Sequence, residues 1–188
     1  AAPPIRATCP SGASWAAGLM PHLDFPSALG PLYFLAQGAG HMSAEGSATA
    51  VVHANLWVLT ATLPAMALVL APRFGLLTGL TVGLFLTLWM ISPRQADLEL
   101  RAFTHLASYN RHGMVWCALV VLAAALPWRR DGGMGAAILD TAVIAALLLA
   151  CLFTKATFAV PAGAFAALAL GLRLRGRPAA LAAGAVTG

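Results

Sequence analysis

Charged residues are scarce in this sequence: only 9% of its 188 residues are charged, and only six are acidic. A soluble domain carries roughly 25% charged residues, whereas 60% of this chain is hydrophobic. The composition therefore excludes an ordinary soluble domain and predicts an integral membrane protein. The apolar runs are long and do not alternate with polar residues, which favours spanning helices whose backbone groups bond internally.

Cysteine is also rare, and the familiar nucleotide-binding and hydrolase motifs are absent. The three cysteines form no C-x-x-C pair and no Cys/His metal spacing, so we expect neither a disulfide framework nor a metal centre. The net charge of +5 comes largely from arginines that flank apolar runs. Such a pattern is typical of membrane topology and not of a nucleic-acid-binding surface.

Five apolar runs are candidates for membrane spans of about 20 residues. They cover about 47–70, 74–91, 113–126, 134–153 and 158–172. A shorter apolar run at 29–40 suits a half-helix or an interfacial helix. The last two spans are separated at Lys155, because residues 136–172 are too many for one span. The predicted fold is all-α: a polytopic transmembrane bundle of about five spans plus the short helix.

The order of the spans predicts which polar segments share a side of the membrane. Residues 1–46 form an N-terminal loop with the short helix, and residues 47–188 form the transmembrane region. The loop at 93–112, with a short surface helix, and Lys155 fall on the same side as residues 1–46. Compact arginine clusters lie on the other side, which is typical of a cytoplasmic face. We therefore place residues 1–46 outside the cytoplasm.

The candidate site residues lie on this extracytoplasmic side. Asp24 stands in a proline-rich loop and has the chemistry of a general base or metal ligand, although an ordinary loop residue fits equally. Arg111 and Lys155 can clamp a phosphate, with His22 and Asn110 as further ligands. The alternative is that Arg111 anchors a span end and that Lys155 reaches the interface as a turn residue.

Some residues inside the predicted spans have a chemical or a packing interpretation. His53 can ligate haem or chlorophyll through its imidazole, and a hydrogen-bonded core histidine is the alternative. Asp140, near the start of the fourth span, either caps the helix or faces a cavity. A glycine at every fourth position lets a neighbouring helix approach closely, as at Gly75, Gly79 and Gly83. Tryptophans near span ends indicate an aromatic belt, as at Trp89, Trp116 and Trp128.

Two segments resemble bacterial multi-span proteins grouped with the GT-C glycosyltransferases and the O-antigen polymerase or ligase-like proteins. The segment 22–33, HLDFPSALGPLY, resembles their first extracytoplasmic loop. The segments 109–113, YNRHG, and 153–158, FTKATF, resemble a later part. The resemblance implies that Asp24 is the catalytic base or metal ligand and that Arg111 and Lys155 bind the donor phosphate.

The resemblance further implies a lipid-phosphate-dependent glycosyltransferase of cell-envelope polysaccharide assembly in a bacterial inner membrane. Its partner would be a polyprenyl-phosphate-linked sugar. The sequence does not identify a cofactor. The chain has fewer spans than such proteins and no second acid beside Asp24, which suits a shortened or partial member. The alternative function is a non-catalytic accessory subunit of a larger membrane complex, packed against neighbouring subunits and carrying a pigment or cofactor.

Overall fold

A computed structural model describes residues 23, 29–44, 47–92, 105–129 and 133–186 of the chain. Within these ranges the structure is entirely helical, with six helices and no strand. The helices are α1 Pro31–Met42, α2 Ser47–Leu70, α3 Leu76–Ile91, α4 His105–Ala125, α5 Gly133–Thr154 and α6 Ala156–Val186. The all-α part of the fold prediction is therefore confirmed for the described residues.

Two helices are long and apolar enough to cross a membrane, Thr49–Leu70 within α2 and the whole of α5. Each of the five predicted spans coincides with a helix, but five spans are not established. Helix α3 has 16 residues and measures about 24 Å, less than a hydrocarbon core of about 30 Å. Helix α4 starts at His105, so the last residues of the predicted 93–112 loop belong to the helix itself.

The predicted break at Lys155 is confirmed. Helix α5 ends at the preceding residue, and α6 starts at the following one. The Lys155 amide donates to the carbonyl of Cys151 (2.8 Å), and its own carbonyl accepts from the amide of Phe158 (3.0 Å). A Cβ atom on Gly163 would lie only 3.9 Å from Leu148 Cδ2, so α6 folds back along α5.

Helix α4 supplies the centre of the core. Leu119, Val120, Ala123 and Ala124 are fully buried between the surrounding helices. Trp116 is buried one turn earlier, and its Nε1 donates to Thr62 Oγ1 on α2 over 3.0 Å. The prediction that Trp116 belongs to an aromatic belt is therefore wrong, because this indole joins two helices inside the bundle.

Helix α1 packs along the first half of α2 in the antiparallel direction. A Cβ atom on Gly40 would overlap the carbonyl oxygen of Ala50 and would lie 2.8 Å from the Cβ of Ala54. At the other end of α1, the Gly30 amide donates to the carbonyl of Thr154 (2.8 Å). These contacts make α1 a half-helix that covers the turn between α5 and α6.

Arg73 lies at the opposite end of the bundle, just after α2. Its guanidinium donates to the carbonyls of Val69 (3.1 Å), Ala123 (3.0 Å) and Leu126 (3.0 Å). It also pairs with the carboxylate of Asp140 on α5 at 2.6 Å, and Trp128 Nε1 donates to the same carboxylate at 3.0 Å. The side chain of Arg73 is fully buried, so this arginine and Asp140 tie together the ends of α2, α4 and α5.

Candidate functional site

Two tyrosines and a lysine meet where α5 turns into α6, and we call Tyr33, Tyr109 and Lys155 the tyrosine–lysine site. The rings of Tyr33 and Tyr109 contact edge to face, with centroids 5.6 Å apart. Lys155 Nζ lies 5.4 Å from the centroid of the Tyr109 ring. The fold positions these groups by three different elements: α1, the second turn of α4, and the α5–α6 junction.

The tyrosine–lysine site combines hydrogen-bond donors with a positive charge. Burial, and then the neighbouring Tyr109, raise the pKa of Tyr33, so its hydroxyl keeps its proton. Both tyrosine side chains are buried, whereas Lys155 is half-buried. Among the described residues, Arg73 and Asp140 form an ion pair. Lys155 contacts the Tyr109 ring and no carboxylate in this part of the chain. A cation–π contact holds the ammonium near the ring without neutralising its charge.

Arg111 lies at the same end of α4 but contacts a different helix. Its Cζ is 5.9 Å from the centroid of the Trp89 ring on α3. Positions 109 and 111 of a helix are about 200° apart around its axis. Lys155 and Arg111 therefore approach opposite sides of α4. The two predicted phosphate ligands lie at one end of the bundle, but Lys155 contacts Tyr109 and Arg111 contacts Trp89.

Several buried polar side-chain atoms have no hydrogen-bond partner. They are Gln37 Oε1, Asn55 Oδ1, Arg111 Nη1, His112 Nε2 and Thr154 Oγ1. A buried polar group without a partner costs about 1–3 kcal/mol, and native proteins contain few of them. Among the described residues these five atoms lie on four helices, and water or a polar ligand can supply their missing partners.

The helix register places these atoms at the end of the bundle that holds Lys155. Because Gly40 of α1 meets Ala54 of the antiparallel α2, Gln37 comes close to the level of Asn55. Gln37 is only 1% exposed although it is a long polar side chain. It lies one turn after Tyr33 on the same face of α1, farther from the Gly30 contact with Thr154.

The second pair of helices gives the same placement. The hydrogen bond between Trp116 and Thr62 fixes the register of the parallel helices α4 and α2. His112 lies one turn before Trp116, and Asn55 lies two turns before Thr62, so both are displaced towards the same end. The imidazole of His112 is buried, and its centroid lies 6.1 Å from that of the Trp116 ring, with the two planes tilted by 33°.

The remaining predicted site residues lie elsewhere. Asp24 and His22 fall outside the described residues, so the catalytic assignment stays a prediction. Asn110 is half-buried on α4 between Tyr109 and Arg111. His53 lies near the turn between α1 and α2, where its Nδ1 is 3.2 Å from Ser43 Oγ. This contact occupies one ring nitrogen, and a cofactor on His53 also stays a prediction.

Several of these site residues are visible in the sequence only as isolated polar positions. Gln37 and Asn55 are single amides inside apolar helices, and such residues are functional candidates in a membrane protein. His112 carries a signal of the same kind, one residue before the predicted third span. No group of three or more His, Cys, Asp or Glu side chains that could hold a metal occurs in the described part of the chain.

Comparison with protein-family models, curated proteins and solved structures gives no match to this chain. The chemistry of the site is therefore argued from its own residues. The site contains a half-buried lysine, two tyrosines and several unpartnered buried amide, imidazole and hydroxyl atoms. This combination suits a ligand with one anionic group and several polar groups. The apolar surface around them suits a ligand that also carries hydrocarbon.

Proposed function

We propose that this protein is a multi-pass membrane protein of a bacterial inner membrane that binds a polyprenyl-phosphate-linked sugar and transfers the sugar. The tyrosine–lysine site takes the phosphate, and the polar atoms below α1 take the sugar hydroxyls. The observation that carries the proposal is the contact of Lys155 with Tyr109, with unpartnered buried polar atoms of α1, α2, α4 and α5 in the same part of the bundle.

The surface of the chain supports a lipid-linked ligand. Large apolar side chains are exposed along α2, α3, α5 and α6, and Leu76 is 81% exposed. Such surface is stable against acyl chains and unfavourable in water. A ligand with a long hydrocarbon tail can reach the site from the surrounding acyl chains. A soluble sugar nucleotide would first have to leave water.

The charges support a phosphate. Lys155 is a cation without a carboxylate partner among the described residues, next to a phenol ring. The guanidinium of Arg111, at the same end of α4, has an unpartnered buried nitrogen. Hydrogen bonds from cations to phosphate oxygens are about twice as strong as neutral ones, so Lys155 favours an anionic ligand at the tyrosine–lysine site, and Arg111 adds positive charge on the opposite side of α4.

The transfer step requires a base, and Asp24 is the residue proposed for it. It stands six residues before Gly30, whose amide is bonded to Thr154 beside Lys155. Asp24 would accept the proton of the attacking hydroxyl while Lys155 holds the phosphate that leaves with the lipid. This role of Asp24 is implied by the resemblance to the GT-C glycosyltransferases. It must be tested separately from phosphate binding.

The test compares farnesyl phosphate with farnesol as probes of the protein in lipid nanodiscs. We expect the phosphate to bind more tightly, and Lys155→Met to weaken its binding about tenfold by removing one charge-assisted hydrogen bond. Farnesol binding should not change, and Lys155→Arg should retain most of the affinity. Thr141→Ala, an exposed change on α5 far from the site, is the matched control.

Equal affinity for farnesyl phosphate and farnesol, or unchanged phosphate binding by Lys155→Met, would overturn the proposed site. Asp24→Asn should bind farnesyl phosphate normally and lose sugar transfer in membranes that contain the protein; transfer at the wild-type rate removes Asp24 from the mechanism. If the chain binds no phosphate and co-purifies with another subunit in fixed stoichiometry, the accessory-subunit alternative is the correct function.

A further inference from the structure

An apolar groove runs between α2 and α3 on the outer surface of the bundle. It has a volume of about 860 Å³. Most of its lining is apolar, with Leu63 and Thr87 at one end and Pro72 and Gly75 at the other. From Gly75 to Thr87 the groove follows α3 for about 18 Å, slightly more than half of a hydrocarbon core of about 30 Å.

Glycines keep this groove open. A Cβ atom on Gly79 would lie 3.6 Å from Phe74 Cβ, and one on Gly83 would lie 3.4 Å from Leu70 Cδ1, so both would fit. The glycine spacing predicts that another helix approaches closely here. None of the described helices comes that close at Gly79 or Gly83. By contrast, a Cβ atom on Gly40 would overlap the neighbouring helix. Gly79 and Gly83 leave space for something outside the described chain.

A cation lies at one end of the groove. Arg129 lines it, with Nη1 3.3 Å from the carbonyl oxygen of Phe74, and its backbone amide donates to the carbonyl of Pro72 (2.9 Å). The Arg129 side chain is exposed and uses one of its five donors in that bond. Asp140 is the only acidic residue in the described part of the chain, and its carboxylate is bonded to Arg73 and Trp128. Arg129 therefore lacks a counter-ion there.

We propose that this groove binds an anionic phospholipid, with one acyl chain along Gly79 and Gly83 and the headgroup phosphate on Arg129. Charge complementarity selects this occupant over a bare apolar helix, because the cation stands at one end of the groove and most of the remaining lining is apolar. The length of the groove suits a chain that reaches from one membrane face towards the middle of the bilayer. This lipid site lies at the opposite end of the bundle from the tyrosine–lysine site and does not depend on the proposed function.

The test uses a phosphatidylglycerol with a diazirine in one acyl chain, in nanodiscs with an excess of phosphatidylcholine. After irradiation, we expect label on the peptides of α2 and α3 that contain residues 63–87. Gly79→Leu fills the groove and should lower this label at least fivefold. Gly171→Leu is the matched control, because a Cβ atom at that glycine meets nothing within 4 Å, and its label should equal wild type.

Arg129→Gln tests the headgroup without altering the groove. We expect its preference for phosphatidylglycerol over a diazirine phosphatidylcholine to fall about fivefold, the effect of one cation near an anionic lipid. Lys155→Gln should leave this preference unchanged, so the two lipid sites are distinguished. Full labelling of Gly79→Leu, equal labelling by both lipids in the wild type, or label replaced by a stoichiometric partner protein in the groove would overturn the proposal.

Discussion

Arg73 is the residue on which one end of the bundle depends. Its guanidinium is fully buried and donates to three backbone carbonyls and one carboxylate, so nearly all of its donors are used. The carbonyls at helix ends lack partners within their own helices, and a cation there also interacts favourably with the helix dipole. Asp140 balances the charge, and Trp128 bonds to the same carboxylate and orients it.

We expect Asp140→Leu to lower the free energy of unfolding by about 3 kcal/mol, because it leaves a buried arginine without its counter-charge. Denaturant unfolding in detergent, followed by tryptophan fluorescence, measures this change. The control Thr141→Ala removes an exposed hydroxyl on the same helix and should change stability by about 0.5 kcal/mol or less. The double variant Arg73→Met with Asp140→Leu should recover part of the loss; if it is as unstable as the sum of both singles, the two residues act independently.

At the scale of single residues, the sequence predicts where a charge lies but not whether it is paired. Arg73 stands after an apolar run and looks like a cytoplasmic topology signal, whereas the structure buries it against Asp140. That partner is 67 positions away along the chain, and no local pattern reports it. Lys155 is the opposite case: its position in a break between two apolar runs predicts both the helix junction and the end of the bundle where it lies.

At the scale of helices, the small residues have two different roles. Gly30, Gly40 and Gly113 lie where another chain segment leaves no space for a Cβ atom. Gly113 faces the ring of Phe158, which packs α6 on α4, and Gly40 faces the backbone of α2. Gly171 and Gly135 have open space around them, so the same residue type is free to change there.

Gly40→Ala and Gly171→Ala should therefore change stability in opposite directions. We expect Gly40→Ala to lower the free energy of unfolding by about 1–3 kcal/mol, since the added methyl group overlaps the Ala50 carbonyl and must push α1 away. Gly171→Ala should raise it by up to about 1 kcal/mol through helix propensity alone. Thermal unfolding in detergent checks both variants, and stabilisation by Gly40→Ala would contradict the close packing of α1 on α2.

The sequence predicts the helices better than their contacts. Apolar runs bounded by proline, glycine and charge place α2, α3, α5 and α6, because burial in lipid or core requires such runs. The start of α4 is harder to place, since the polar residues Asn110, Arg111 and His112 near its start separate the predicted surface helix of the 93–112 loop from the predicted third span. Arg111 contacts Trp89 on α3, a tertiary contact that has no local signature, whereas His112 contacts Trp116 one turn later on α4 itself.

At the scale of the whole molecule, the two ends of the bundle differ in chemistry. One end joins α1, the α5–α6 junction and the second turn of α4 around unpartnered polar atoms and Lys155. The other end is closed by Arg73 and Asp140 and carries the exposed Arg129. A chain with apolar sides and two unlike polar ends suits a membrane in which one face receives a ligand and the other anchors the protein.

This placement predicts which surface positions face each side of the membrane. Met42, at the end of α1, is 79% exposed and lies near the start of α2, away from Arg73 and Arg129, and Met134, at the start of α5, is 77% exposed and lies at the Arg129 end. In a Cys9→Ser background, we expect a membrane-impermeant maleimide to label Met42→Cys in intact cells and Met134→Cys only after permeabilisation. Cys151 is buried and Cys117 is half-buried, so the Cys9→Ser protein itself should react little with the maleimide. Labelling of both positions in intact cells contradicts a spanning bundle, and the reversed pattern places the tyrosine–lysine site on the cytoplasmic side.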